Sequence, residues 1–109
     1  MRRRRLPLGV LAVGALLLAA SPAAAASHNY TVVIDKMKFG PLPAGLHVGD
    51  SITWVNRDFL RHTATAADHS FDADLAPGAK ATVTLKKAGA IAFSCRYHPG
   101  MRGILQVKR

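Results

Sequence analysis

Within Cys95-Arg96-Tyr97-His98-Pro99-Gly100-Met101, a thiol, an imidazole and a thioether recur at every third position, at the end of the apolar strand Ala90 to Cys95. A tight loop leaving a strand at that spacing can aim all three side chains at one point. Thiolate and thioether are soft donors that suit copper(I), and imidazole suits both copper oxidation states. A second imidazole would complete a set able to hold one copper ion through a one-electron change with little rearrangement. His62, at the start of His62-Thr63-Ala64-Thr65 and shortly after the run Ser51 to Asn56, is placed to supply it.

Taken singly, each of these residues has a blander reading. A lone cysteine on a strand is commonly a small buried hydrophobe, and a lone methionine is commonly core filler. Met101 lies in a Pro-Gly loop rather than a strand, which favours ligation, whereas Met37 beside Phe39 reads as packing. Trp54 and Phe93 read as core, and His47 and His69 as exposed or turn residues. Zinc on Cys95, His62 and His98 is the metal alternative, although zinc usually takes a harder fourth donor than a thioether. It would leave the protein colourless and redox-silent. A metal-free adhesive sandwich is the other alternative.

The elements that must position these residues read as all-β. Short β-prone runs alternate with turn residues, and no long window shows a helical apolar period. Tyr30, Val32 and Ile34 share one strand face, as do Ile52 with Trp54, Val83 with Leu85, Ile91 with Phe93 and Cys95, and Leu105 with Val107. Parity therefore points the Cys95 sulfur to the core side. With a short strand at Leu46 to Val48, this predicts a single-domain sandwich of about seven or eight strands. Phe39 to Gly45 and Ala67 to Ala79 read as loops, the first for its prolines and the second for Asp68, Asp72 and Asp74.

The N-terminus has a different character. Arg2 to Arg5, the apolar run Leu6 to Ala20 and the small residues Ser21 to Ser27 have the layout of a secretory signal peptide. A membrane anchor needs roughly 20 continuous apolar residues, and this run is shorter. The expected division is a cleaved leader, 1–26, and a working domain, 27–109, with cleavage after Ala24, Ala25, Ala26 or Ser27 and export by the general or the twin-arginine route. Four of the 15 basic residues lie in the leader, so the net charge of +9 falls to +5, eleven basic against 6 acidic. Anionic lipid and acidic proteins are compatible with that charge. Nucleic acid is the least expected partner, since there is no basic stripe interleaved with aromatics and an exported protein is in the wrong compartment.

A domain of this size has a thin core and gains from a disulfide or a metal. With 1 cysteine no intrachain disulfide can form, and an unpaired thiol in an oxidising compartment calls for an occupant. Cleavage after Ala25 would also leave Ala-Ser-His28 at the new terminus, an arrangement able to bind a second copper(II).

The chain resembles the cupredoxins, in the branch of plastocyanin, pseudoazurin and amicyanin, and its compact Cys-x2-His-x2-Met loop is most similar to the amicyanin type. The resemblance rests on Met37-Lys38-Phe39, Val48-Gly49-Asp50-Ser51-Ile52-Thr53-Trp54-Val55-Asn56, His62-Thr63, Pro77-Gly78 and the ligand loop with Gly103. It implies a Greek-key β-sandwich with type 1 blue copper near one end. His62, Cys95 and His98 would be the strong ligands, Met101 a long axial one, and the exposed edge of His98 the route for electrons. It also implies that the Thr63 amide donates to the Cys95 sulfur. Pro99 has no N–H, so a second such donor known in some relatives is expected to be missing. Arg61 stands where relatives commonly have proline.

The resulting expectation is an exported, monomeric, non-enzymatic carrier of single electrons between redox proteins such as a dehydrogenase, a cytochrome or an oxidase, with no stable membrane insertion once the leader is removed. The alternative is a periplasmic copper-handling protein that stores or delivers the metal through the same residues. Arg57, Arg61, Arg96 and Arg102 flank the proposed ligands, either as a solvated surface or as a basic rim that steers an acidic partner.

Overall fold

Strict alternation of buried and half-buried side chains along Ser51–Asn56 puts Ile52, Trp54 and Asn56 inside and Thr53 and Val55 toward the surface. The same period of two organises the other long strands of the computed structural model, which describes residues 3, 4, 7, 9, 12–16 and 26–109. The predicted leader, 1–26, lies largely outside the described residues. Among the described residues no helix is long and apolar enough to cross a membrane.

The strands are β1 (Asn29–Asp35), β2 (Lys38–Phe39), β3 (Leu46–His47), β4 (Ser51–Asn56), β5 (His62–Ala66), β6 (Asp72–Leu75), β7 (Lys80–Thr84), β8 (Gly89–Ser94) and β9 (Arg102–Lys108). They form a four-stranded sheet in the order β2-β1-β4-β7 and a five-stranded sheet in the order β3-β9-β8-β5-β6. The β1/β4 and β3/β9 pairs are parallel and the others antiparallel. Parallel neighbours arise because the chain visits the opposite sheet before returning, the crossing pattern of a Greek-key sandwich.

Val32, Ile34, Leu46, Ile52, Trp54, Leu75, Phe93, Leu105 and Val107 meet between the sheets. Phe93 is the hub of an aromatic group, with ring centroids 4.8 Å from Phe39 and 5.2 Å from Trp54. These separations and tilted planes are the favourable range for aromatic pairs. Gly103 on β9 lies directly over that hub: a Cβ there would fall 2.6 Å from Phe93 Cζ. Glycine is what lets β9, which leaves the ligand loop, lie flat against β8.

Two local expectations are corrected. Asp72–Leu75, read as loop because of its acidic residues, is strand β6; Ala73 and Leu75 point inward while Asp72 and Asp74 face out. The acidic residues mark the outer face of a strand, where they meet arginines from other segments. Phe39 likewise belongs to a strand, because Lys36 and Met37 turn the chain back with φ of 51° and 62°. That double left-handed turn fits a two-residue hairpin but lacks the usual glycine or asparagine. Met37 is therefore a half-exposed turn residue rather than a packing one.

Candidate metal centre

The segment that leads into the first histidine is held by one buried amide. Asn56 Nδ2 donates to the carbonyls of Leu60 at 2.7 Å and Leu75 at 3.0 Å, and its Oδ1 accepts from the Asp58 amide at 2.9 Å. This fastens residues 57–61 across the end of the sandwich and delivers His62, fully buried, to the start of β5.

The second ligand segment is a loop closed on itself. The Cys95 amide donates to the Met101 carbonyl at 3.0 Å, and the Met101 amide donates to the His98 carbonyl at 2.8 Å. The outer bond closes the base of the loop and the inner one makes His98-Pro99-Gly100-Met101 a tight turn. Cys95 and Met101 are buried, and His98 is half-buried at the rim.

Together these segments place Cys95 Sγ 3.8 Å from His62 Nδ1 and 3.6 Å from His98 Nδ1. The three donor atoms all lie within 4.8 Å of one another, the one such group of three among the described residues. Separations of this size are expected when each atom is about 2.0–2.3 Å from one shared ion. The donors, one soft thiolate and two imidazoles, fit copper. His28, His47 and His69 lie outside the group; His69 occupies a turn with φ of 63°.

The sulfur is prepared for a metal. The Thr63 amide donates to Cys95 Sγ at 3.3 Å, as the resemblance implies. Burial alone would raise the Cys95 pKa, but hydrogen bonds from the Thr63 amide and the His62 and His98 rings outweigh it and bring it to about 6. The Tyr97 amide adds a smaller lowering.

Linkage gives the sign. A thiol whose folded-state pKa is depressed contributes stability that is complete above the ordinary value of 9.0 and lost as pH falls through about 6. In metal-free protein the ultraviolet absorbance of the thiolate is therefore expected to rise with a midpoint near pH 6. A midpoint at or above 8 would contradict this, since that is the range of an unperturbed thiol.

Sequence reasoning missed two features of the surroundings. Asp58, which the sequence reading left without a role, is buried, and its Oδ2 lies 2.9 Å from His62 Nε2. Burial would push the His62 imidazolium pKa down, but the Asp58 carboxylate and the Cys95 sulfur hold it above the ordinary value.

The arginine rim is also partly committed. Arg61 pairs with Asp74 at 2.9 Å, and Arg96 pairs with Asp72 at 2.6 Å and with Asp74 at 3.8 Å. These pairs tie the residue before His62 and the residue after Cys95 to the same strand, β6. Arg57 and Arg102 form no ion pair among the described residues.

A sandwich of this topology with a His-Cys-His group at one end defines a cupredoxin-like domain, and the family model for that domain matches residues 8–107. The chain belongs to the cupredoxin-like family. Copper is its cofactor, and His62, Cys95 and His98 are its candidate copper site. It is 30% identical to amicyanin of Paracoccus denitrificans over 109 residues, spanning 92% of this chain and 83% of that one.

Among solved structures it is similar to the Cu(I) form of an alanine-for-methionine variant of amicyanin, at 27% identity and a TM-score of 0.64 over 76% of this chain and 85% of that one. A purple cupredoxin from Nitrosopumilus maritimus shares the fold at 21% identity, with a TM-score of 0.64 over 72% of this chain and 99% of that one.

Proposed function

We propose that His62, Cys95, His98 and Met101 hold one copper ion and that the protein passes single electrons between redox proteins. The carrying observation is the buried thiol with an imidazole Nδ1 at 3.8 Å and another at 3.6 Å. Bound copper would supply the one-electron Cu(I)/Cu(II) couple. The protein supports that couple by holding its donors at the end of one five-stranded sheet and on a hydrogen-bonded loop, so that neither oxidation state requires the ligands to move far. Met101, buried in the same loop, would supply the thioether donor.

The surface supports docking rather than substrate binding. Phe59 and Leu60 precede His62, Tyr97 precedes His98, and all three expose apolar surface. Exposed aromatic groups of this kind are typical of protein contact sites. Arg57 and Arg102 are the cations left to attract a partner with an acidic face. The proposal invokes no catalytic residue. The same reading takes residues 1–26 as a leader removed on export to the periplasm, supported by its arginine-rich start, apolar run and small-residue end. Mass spectrometry of the exported protein should find a start between Ala25 and His28; a retained Leu6 to Ala20 segment would overturn that part.

Carriage and copper handling are separated by one pair of measurements on the copper-loaded protein. Electron self-exchange by NMR line broadening of a mixture of the oxidation states should be fast, while copper stays bound during overnight incubation with a copper-accepting chelator. Slow exchange with ready surrender of the metal would instead make the protein a copper store or donor.

A further inference from the structure

Asp58 is a carboxylate enclosed in the fold next to a ligand that is itself enclosed: the two side chains are 3% and 0% exposed. A buried carboxylate is costly unless hydrogen bonds replace its water. Here they do. Oδ1 accepts from the Phe59 amide at 2.8 Å, and Oδ2 accepts from the Met37 amide at 3.0 Å as well as facing His62 Nε2 at 2.9 Å.

The His62 ring is thus used at both nitrogens. Nδ1 faces the Cys95 sulfur and Nε2 faces a carboxylate, which can only accept. With a metal on Nδ1 the neutral ring carries its proton on Nε2, where the carboxylate accepts it. A carboxylate behind a ligating imidazole also makes that imidazole a stronger donor, and a nearby negative charge favours the more positive oxidation state of the ion.

We propose that Asp58 is a positioning residue of the copper site: it fixes His62 as the Nε2–H tautomer, aims Nδ1 at the ion, and by its charge favours copper(II) over copper(I), lowering the reduction potential. This rests on the copper reading above. It also gives the strained β1–β2 turn a purpose, because the oxygen that accepts from His62 also accepts from Met37, at φ 62°. The turn helps to hold the carboxylate against the ligand.

The test compares reduction potentials of the copper-loaded wild type, Asp58→Asn and Asp58→Glu, followed through the visible band. Asp58→Asn should keep the band and shift the ratio of copper(II) to copper(I) affinity about tenfold toward copper(I), a rise of about 59 mV. Asp58→Glu, which retains the charge, should recover more than half of that shift. A change of less than about twofold in Asp58→Asn, or an equal change in both variants, would overturn the proposal, because a merely structural carboxylate would alter stability without distinguishing charge.

Should Asp58→Asn fail to fold, proton–nitrogen NMR of His62 in the reduced wild type decides. A proton on Nε2 protected from solvent exchange supports the assignment, and a proton on Nδ1, or an Nε2 proton exchanging freely, removes it. A wild type without a visible band defeats the copper reading itself, whereas a banded wild type with an unmoved Asp58→Asn potential defeats only the role of Asp58.

Discussion

Replacing Cys95 with serine is expected to abolish the intense visible band that copper(II) produces in the wild type and to weaken copper(I) binding by more than about 100-fold, since losing a partner one shell further out already costs 10–100-fold. The fold should survive. Cys95 is 1% exposed, and a serine hydroxyl occupies nearly the same space and can accept from the Thr63 amide that now meets the sulfur at 3.3 Å. What disappears is the thiolate, the one soft anionic donor of the set and the source of the strong colour of a copper–sulfur bond. Visible absorption and a competition titration with a copper(I) chelator measure both effects. A serine variant that stays coloured, or binds copper(I) as tightly as the wild type, would mean that the sulfur is not a ligand.

Phe93→Ala is the second large effect, and it acts on stability. The ring is 2% exposed, sits between Phe39 and Trp54 and packs under Gly103. Deleting a buried phenylalanine side chain costs about 3–5 kcal/mol. A domain of this length has only roughly 4–12 kcal/mol in total at 0.05–0.15 kcal/mol per residue.

The metal-free variant should therefore be partly unfolded, with its urea midpoint lowered by roughly 1 M or more. Copper, binding the folded state alone, should restore about 2.7 kcal/mol at a hundredfold excess over its dissociation constant. Urea titrations with and without copper read both numbers. A shift below about 0.3 M would show that the aromatic group is not the centre of the core. Phe93 lies two residues before Cys95 on β8, so the stability of the core and the placement of the sulfur are properties of one strand.

The two effects show which parts of the site could be read from sequence. Cys95, His98 and Met101 lie in one segment whose spacing suggests a shared ion, and the structure brings Cys95 and His98 together with His62. Strand parity placed Trp54, Phe93 and Cys95 on the inner side, where the structure has them. These are local patterns that depend on a period of two.

Partnerships between distant segments had no such signature. Asp58 reads as the end of the turn-rich approach Asn56-Arg57-Asp58, and only the fold brings it under His62. Asp72 and Asp74 suggested a loop because their outward face was judged without the arginines that meet it; Arg61 and Arg96 come from two other segments. The same pairs remove half of the anticipated basic rim. The Lys36-Met37 turn escaped because neither residue type signals a left-handed backbone, and the Asp58 carboxylate that receives the Met37 amide lies 21 residues away.

The central claim, one copper ion on His62, Cys95, His98 and Met101, is tested most directly by titrating metal-free protein with copper(II) while recording its visible spectrum. The expected result is an intense band that grows linearly and stops at one equivalent, and that bleaches reversibly on adding a one-electron reductant. A protein that stays colourless through the titration, or whose copper is bound without an intense band, would contradict the thiolate site and leave the same residues to zinc or to a metal-free fold.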